Sequence, residues 1–386
     1  MVNGLTEEIV DCVESHADEE LQFVIDICNQ NSYTCNKNGT DRVAEHVMDR
    51  LGGILPSHRI IEQREIGNHH ILTNKPPMHA VYLLGHLDTV FPPDHPLQKC
   101  SLEGNVLKGP GTADMKGGLA VIVFALEALK AVGLLDKLSL ALVLSSDEEI
   151  GSVTSQSLLE QERKNALTCL VAECGGPSGE VVVSRNGKLG ARLDCFGEGR
   201  HVGSGTHEKT SAILELAHKI CALESLNEIL PGTSINVGRI EGGLGPSTVP
   251  AHAFALLDVR WMEENHREAL LEEIDRKTSE PHQPGCRTEF KVLNSRPAMP
   301  LHDGTRALLS ELQRIGKSIG IDIKQEHRRG SSDANFFGSA GIPTLDGLGP
   351  VGMNDHTPDE SIDVPSLKQR TALLALLLES LANKHF

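Results

Sequence analysis

Five short clusters of histidine and carboxylate residues stand out in this sequence, each beside an apolar run or a glycine-rich turn. The first, Gly85-His86-Leu87-Asp88-Thr89, ends an apolar run. In an extended chain His86 and Asp88 point to the same face, and a metal-binding histidine commonly gives its second ring nitrogen to a carboxylate. The second, Lys108-Gly109-Pro110-Gly111-Thr112-Ala113-Asp114, is followed by Met115-Lys116-Gly117-Gly118 and a helical pattern. Its glycines invite a phosphate-loop reading, but the lysine and hydroxyl such a loop needs after its last glycine are absent. The third is Ser145-Ser146-Asp147-Glu148-Glu149, the fourth Val171-Ala172-Glu173, and the fifth Asn354-Asp355-His356-Thr357-Pro358-Asp359-Glu360.

Each cluster alone has an ordinary explanation. His86 and Asp88 would suit a polar strand end, Asp114 a helix cap, and the adjacent carboxylates a solvated loop. Together they place two histidines, an aspartate and two or three glutamates at the ends of separate strands, where open α/β sheets bind ligands. A metal removes the repulsion between neighbouring carboxylates, so that one binds metal while the other serves as a base. Asp114 could bridge two such ions. Nitrogen and oxygen donors without thiolate fit catalytic Zn²⁺, and Mn²⁺ or Co²⁺ suit the same set.

The elements that must position these residues follow from apolar periodicity. Helical spacing covers Glu7–Asn29, Asp41–Leu51 and Lys116–Ala131, while short apolar runs at Val81–Leu84, Leu138–Leu144 and Cys169–Ala172 read as buried strands. Strands alternating with helices predict an α/β domain with a mostly parallel sheet. From about Lys188 the order becomes strand Gly190–Phe196, helix Glu208–Glu224, strands Ser234–Ile240 and His252–Trp261, helix Asn265–Thr278 and strand Thr288–Leu293. That is the β-α-β-β-α-β order of a ferredoxin-like unit. The α/β pattern then resumes with Gly304–Ile319, Ile342–Leu345 and Pro365–Asn383. The expected division is residues 1–187 and 296–386 for one domain, with 188–295 inserted into it as a second.

At 386 residues two domains are expected. A net charge of −17 argues against nucleic acid and against an anionic membrane surface as partners. No apolar run is long enough to span a membrane, and Met1-Val2-Asn3-Gly4-Leu5 opens without a basic stretch and apolar core. Nine scattered cysteines, an odd number, read as reduced thiols of a cytoplasmic enzyme. Cys174, with no matched base, reads as a packing residue.

Five motifs in this order, spread from about Val81 to Glu360, resemble the co-catalytic zinc exopeptidases and deacylases. This family includes glutamate carboxypeptidase, acetylornithine deacetylase, succinyl-diaminopimelate desuccinylase and aminoacylase. The resemblance implies two Zn²⁺ per chain, with Co²⁺ or Mn²⁺ as alternatives. It makes His86, Asp114 and Glu173 ligands of one ion and Asp114, Glu149 and His356 ligands of the other. Glu148 becomes the general base and Asp88 the partner of His86, and the Asp114–Met115 peptide is expected to be cis. Gly199-Arg200-His201-Val202-Gly203 is similar to a lid motif whose histidine serves the other subunit of a dimer; without the resemblance His201 reads as a surface residue. The implied homodimer joins through the lid, with Gly190–Phe196 as an edge strand and Glu208–Glu224 as the contact surfaces. Arg260 and Ser247 fall where the family contacts substrate carboxylate, although many members carry Asn at the position of Ser247. Ser332-Asp333-Ala334-Asn335 and the His356 stretch look most like glutamate carboxypeptidase. The implied activity is amide cleavage in a small peptide or N-acyl amino acid with a free carboxylate. A deacetylase or desuccinylase is the alternative, and a non-catalytic binding protein of the same fold a lesser one. His69, His70, His95 and His282 match no motif and read as surface residues.

Overall fold

Runs of Val, Leu and Ala build the central strands of the first of two units in the structure, a computed structural model that describes residues 4–204, 209–228 and 232–383. That unit comprises the described parts of Met1–Ser184, Leu301–Arg328 and Ser332–Phe386. Its six-stranded sheet runs in the order Ser57–Ile61, His69–Thr73, Leu140–Ser145, Ala80–His86, Ala166–Val171, Thr344–Leu345. Ala80–His86 lies parallel to both of its neighbours, and Thr344–Leu345 continues parallel to Ala166–Val171. Only His69–Thr73 runs against the rest. Every residue of Ala80–His86 and Leu140–Ser145 is buried, which explains the unbroken apolar runs: a strand covered on both faces has no reason to alternate.

Helix Gly117–Ala131 is buried around nearly its whole circumference, and it packs against the long C-terminal helix Val364–Asn383. Gly118 is required where this helix begins. A Cβ there would stand 1.7 Å from the carbonyl oxygen of Ala172, so only glycine lets the helix start approach the end of the Ala166–Val171 strand.

Three features differ from the sequence expectation. The helical stretch Glu7–Asn29 is two helices, Gly4–Ser15 and Ala17–Cys28, separated at His16. There Ser15 Oγ donates to the Cys12 carbonyl and His16 Nδ1 lies 2.8 Å from the same oxygen, so side chains compete for a backbone acceptor. The hairpin Ser57–Ile61/His69–Thr73 carries no clean apolar pattern and was not anticipated. It corrects the reading of His69 and His70 as surface residues, since they are 0% and 3% exposed. His69 Nδ1 accepts the Ser146 N–H and its Nε2 meets Thr154 Oγ1 at 2.8 Å. His70 Nδ1 lies 3.0 Å from His58 Nε2, and burial pushes its ring down to about 4. His95 is half-buried, whereas His282 is exposed.

The second unit, the described parts of Arg185–Pro300 with Arg329–Ser331, has its own core. Its antiparallel sheet is ordered Thr233–Gly242, His252–Trp261, Gly187–Phe196, Arg287–Arg296, with helices Ala212–Glu224 and Glu264–Ser279. Burial alternates strictly along Gly187–Phe196 and His252–Trp261, as one packed face requires. This is the ferredoxin-like arrangement. It places Gly187–Phe196 inside the sheet, paired on both sides, so that strand is not the edge. The edges are Thr233–Gly242 and Arg287–Arg296. Residue 208, where the first lid helix was expected to begin, lies outside the described residues. Buried Glu215 accepts the N–H groups of His282 and Gln283, and buried Lys219 donates to the carbonyls of Lys277 and Glu280. This pair ties helix Ala212–Glu224 to the chain that leaves helix Glu264–Ser279. No helix among the described residues is long and apolar enough to cross a membrane.

One buried charge makes stability depend on pH. Glu20 is 1% exposed, accepts from Thr371 Oγ1, and leaves its Oε2 without a partner. Burial pushes its carboxyl up to about 7, and Glu127 adds repulsion. A raised carboxyl pKa means the folded state resists ionisation, so the cost is absent below about pH 4.5 and complete above about pH 7. Glu20→Gln should stabilise the protein at pH 8 by on the order of 2–3 kcal/mol and change little at pH 4. Urea midpoints at the two pH values test this; an equal gain at both would assign the effect to packing.

Candidate active site

Parallel strands aligned side by side bring their carboxyl ends to one edge, and three of the candidate residues arrive there directly. His86 is the last residue of Ala80–His86, Glu148 and Glu149 follow Leu140–Ser145, and Glu173 follows Ala166–Val171. Asp114 comes from the turn Thr112–Lys116, which precedes helix Gly117–Ala131, and its peptide bond to Met115 is cis. His356 comes from the loop between the short strands Gly352–Met353 and Ser361–Asp363. Both Asn354 and His356 in that loop adopt positive φ, at 57° and 60°.

These side chains form two groups that share Asp114. His86 Nε2 lies 2.8 Å from Asp114 Oδ1 and 3.6 Å from Glu173 Oε1. His356 Nε2 lies 3.0 Å from Asp114 Oδ2 and 3.0 Å from Glu149 Oε2. Ligand atoms about 2.0–2.1 Å from a tetrahedral Zn²⁺ stand about 3.3 Å apart, so the histidine–carboxylate distances in both groups are near the spacing one ion would impose. One donor atom each from His86, Asp114 and Glu149 also falls within 4.8 Å of the other two. Glu149 Oε1 is buried and has no hydrogen-bond partner. The donor set, its spacing and this orphaned oxygen fit a divalent cation.

The electrostatics agree. Burial pushes the Glu149 carboxyl up to about 8, with Asp114 adding to the rise, and burial raises Glu173 as well. Burial would also raise Asp114, but hydrogen bonds from His356 and His86 outweigh it and hold Asp114 well below the usual range. Hydrogen bonds to Asp114 and Glu149 push His356 up to about 11. Burial opposes charge on His86, yet Glu173 and Asp114 still drive its pKa upward. The cluster draws positive charge from wherever it can, as a carboxylate site built around cations should.

A second layer of carboxylates holds the first. Asp88 is fully buried and accepts from Thr34 Oγ1 at 2.7 Å and from the N–H groups of Glu148 and Glu149 at 3.2 and 3.3 Å. His86 Nδ1 is closer to the Asp88 carbonyl, 3.0 Å, than to its carboxylate, 3.4 Å. Asp88 therefore orients His86 through its backbone and clasps the Glu148–Glu149 turn through its side chain. Asp147 turns away from the site and takes the N–H and hydroxyl groups of Thr154 and Ser155. Asp333 accepts from Ser145 and Ser152, and Ser332 donates to Asp346. Sequence reading missed Thr34 and the roles of Asp147 and Asp333, because partners so far apart in the chain leave no local spacing. Cys174 packs beside the site with Arg328 Nη1 3.7 Å from its sulfur, and burial pushes its thiol up to about 12.

His201, Ser247 and Arg260 belong to the second unit. The short strand Arg200–His201 pairs with Thr248–Val249, His201 opposite Thr248, and the Val202 N–H donates to the Ser247 carbonyl. His201 and Ser247 are exposed, and the Gly203 N–H donates to His201 Nδ1. Arg260 grips Asp258 through Nε at 2.6 Å and donates from Nη1 to the Arg329 carbonyl.

Residues 82–380 match the group described as Peptidase family M20/M25/M40. The chain belongs to this family. Carboxypeptidase G2 from Pseudomonas sp. (strain RS-16) is 26% identical over 304 residues, covering 78% of this chain and 73% of that one. A succinyl-diaminopimelate desuccinylase from Shewanella piezotolerans is 30% identical over 294 residues, 71% of this chain and 74% of that one. Among solved structures, the aminopeptidase PepT of Bacillus cereus ATCC 10987 shares the fold, with a TM-score of 0.73 at 23% identity over 95% of this chain and 99% of that one. As an M20/M25/M40 member the protein is a metal-dependent hydrolase, and its histidine–carboxylate cluster is where the metal would be held.

Asp114 stands in both groups, so it should matter most to metal. Asp114→Asn is expected to lower bound divalent metal, measured by elemental analysis after dialysis, more than Glu173→Gln or Glu149→Gln. Parent-like metal content in Asp114→Asn would refute the cluster as the metal site.

Proposed function

We propose that this chain is a two-zinc hydrolase that cleaves the amide bond of a small peptide or N-acyl amino acid bearing a free carboxylate. The observation that carries the reading is the sharing of Asp114 between two histidine–carboxylate groups, with Glu148 the chain neighbour of Glu149 in the second group. His86, Asp114 and Glu173 would hold one ion and Asp114, Glu149 and His356 the other. When bound, such ions polarise the scissile carbonyl and acidify water. Glu148 takes the water's proton and delivers it to the leaving amine. Its position is set by Asp88, which holds the backbone N–H of Glu148 itself. His201 stabilises the oxyanion. Arg260, oriented by Asp258, receives the substrate carboxylate, with Ser247 contributing a polar contact.

A carboxypeptidase and a desuccinylase are both among the relatives, and both chemistries use this machinery. We favour the carboxypeptidase, and a screen of C-terminal dipeptides, acyl-glutamates, and acetylated or succinylated amino acids separates the two. Nine free thiols support a reducing compartment, the cytoplasm.

Glu148 and Glu149 should have separable roles. Glu148→Gln keeps size but cannot accept the proton, so metal should stay while kcat falls by about 10²-fold or more. Glu149→Gln should lose metal. Swapped phenotypes would exchange the two assignments.

We also propose a homodimer through the second unit in which His201 serves the partner's site. Ile240 on the edge strand Thr233–Gly242 is 62% exposed, and Ile213 and Leu214 on helix Ala212–Glu224 are 43% exposed each. Exposed aliphatic side chains on an edge strand and a neighbouring helix suit coverage by a twin. Mixing His201→Ala with Glu148→Gln should restore about a quarter of parental activity, since one site of each mixed dimer regains both residues. Mixed dimers without recovery would confine His201 to its own chain's site or remove it from catalysis.

A further inference from the structure

The turn that carries Asp114 has an unusual need. Between Gly111 and Asp114 the backbone presents the N–H groups of Gly111, Ala113 and Asp114 to the interior. One side chain, Glu360, takes all three. Its Oε2 accepts from Gly111 at 3.1 Å, and its Oε1 accepts from Ala113 at 2.9 Å and Asp114 at 3.0 Å. Glu360 is 1% exposed. It ends the same loop that carries His356, and its own carbonyl accepts the Gly109 N–H at 3.1 Å. Just beyond it, Ser361–Asp363 pairs with Val106–Lys108, so the two loops leave adjacent strands of one small sheet. Its neighbour Asp359 is exposed, and its carboxylate pairs with Lys108.

We infer that Glu360 is a positioning residue that fastens the backbone of the shared carboxylate Asp114 to the His356 loop and so sets the separation of the two histidine–carboxylate groups. Three convergent N–H dipoles make a cradle that favours one buried anion. A charged acceptor also holds N–H donors more firmly than a neutral one. An aspartate would be one methylene short, and an exposed glutamate would be satisfied by water. The inference rests on the metal-site reading above and adds a residue that contacts no substrate.

The test measures divalent-metal affinity by competition with a chromogenic chelator, using Zn²⁺ alone, together with amide hydrogen exchange on the metal-free protein. Glu360→Ala should weaken affinity by about 10–100-fold, the usual effect of losing an outer-layer partner, and should speed exchange at residues 111, 113 and 114. Glu360→Gln retains the oxygen that serves Ala113 and Asp114, so affinity should fall less and exchange should rise at Gly111 alone. A folded Glu360→Ala with parental affinity overturns the inference. Should that variant fail to fold, Glu360→Gln decides: parental affinity together with parental Gly111 exchange overturns it. Asp114→Asn is the control. If it also keeps its metal, the proposed function fails; if it loses metal while the Glu360 variants do not, only the role of Glu360 fails.

Discussion

The candidate site depends on one carboxylate shared by two histidines. Asp114 presents one oxygen to His86 and the other to His356, and Glu173 and Glu149 crowd in behind them. Left alone, such a set is unfavourable: buried carboxylates repel one another and lose hydration. The opposed shifts, acids raised at Glu149 and Glu173 and histidines raised at His86 and His356, show a site short of positive charge. A bound divalent cation would relieve that shortage.

Holding repelling groups together requires rigid support, and the chain supplies it in two ways. Three adjacent parallel strands, buried on both faces, bring His86, the Glu148–Glu149 turn and Glu173 to one edge. Behind them buried carboxylates, Asp88, Asp147, Asp333 and Glu360, accept from backbone N–H groups and hydroxyls.

Much of the fold was legible because burial writes itself into composition. The strands Ala80–His86, Leu140–Ser145 and Ala166–Val171 are apolar runs, and the ferredoxin-like order followed from alternation and turn placement. What escaped was decided by polar side chains acting locally or at a distance. Ser15 and His16 interrupt a helix that periodicity alone would continue. His69 and His70 are polar by type but buried by pairing, so their strand carried no apolar signal. The position of Gly187–Phe196 inside its sheet depends on which strands it pairs with, and chain order cannot state that.

The sequence by itself determined the cast of the site: which histidines and carboxylates end strands, that their donors are nitrogen and oxygen, and that a second domain interrupts the first. These are local properties, written in residue type and spacing. Only the tertiary structure decided which partners neighbouring acids meet. Asp147, Glu148 and Glu149 are consecutive, yet the Asp147 carboxylate accepts from Thr154 and Ser155 while that of Glu149 faces His356. Likewise Asp88 serves the Glu148–Glu149 backbone as much as His86, and Glu360 reaches back 246 residues to the N–H of Asp114. Carboxylates are chemically interchangeable along the chain; the direction each faces, and the donors it meets there, are fixed only when distant strands and loops have come together.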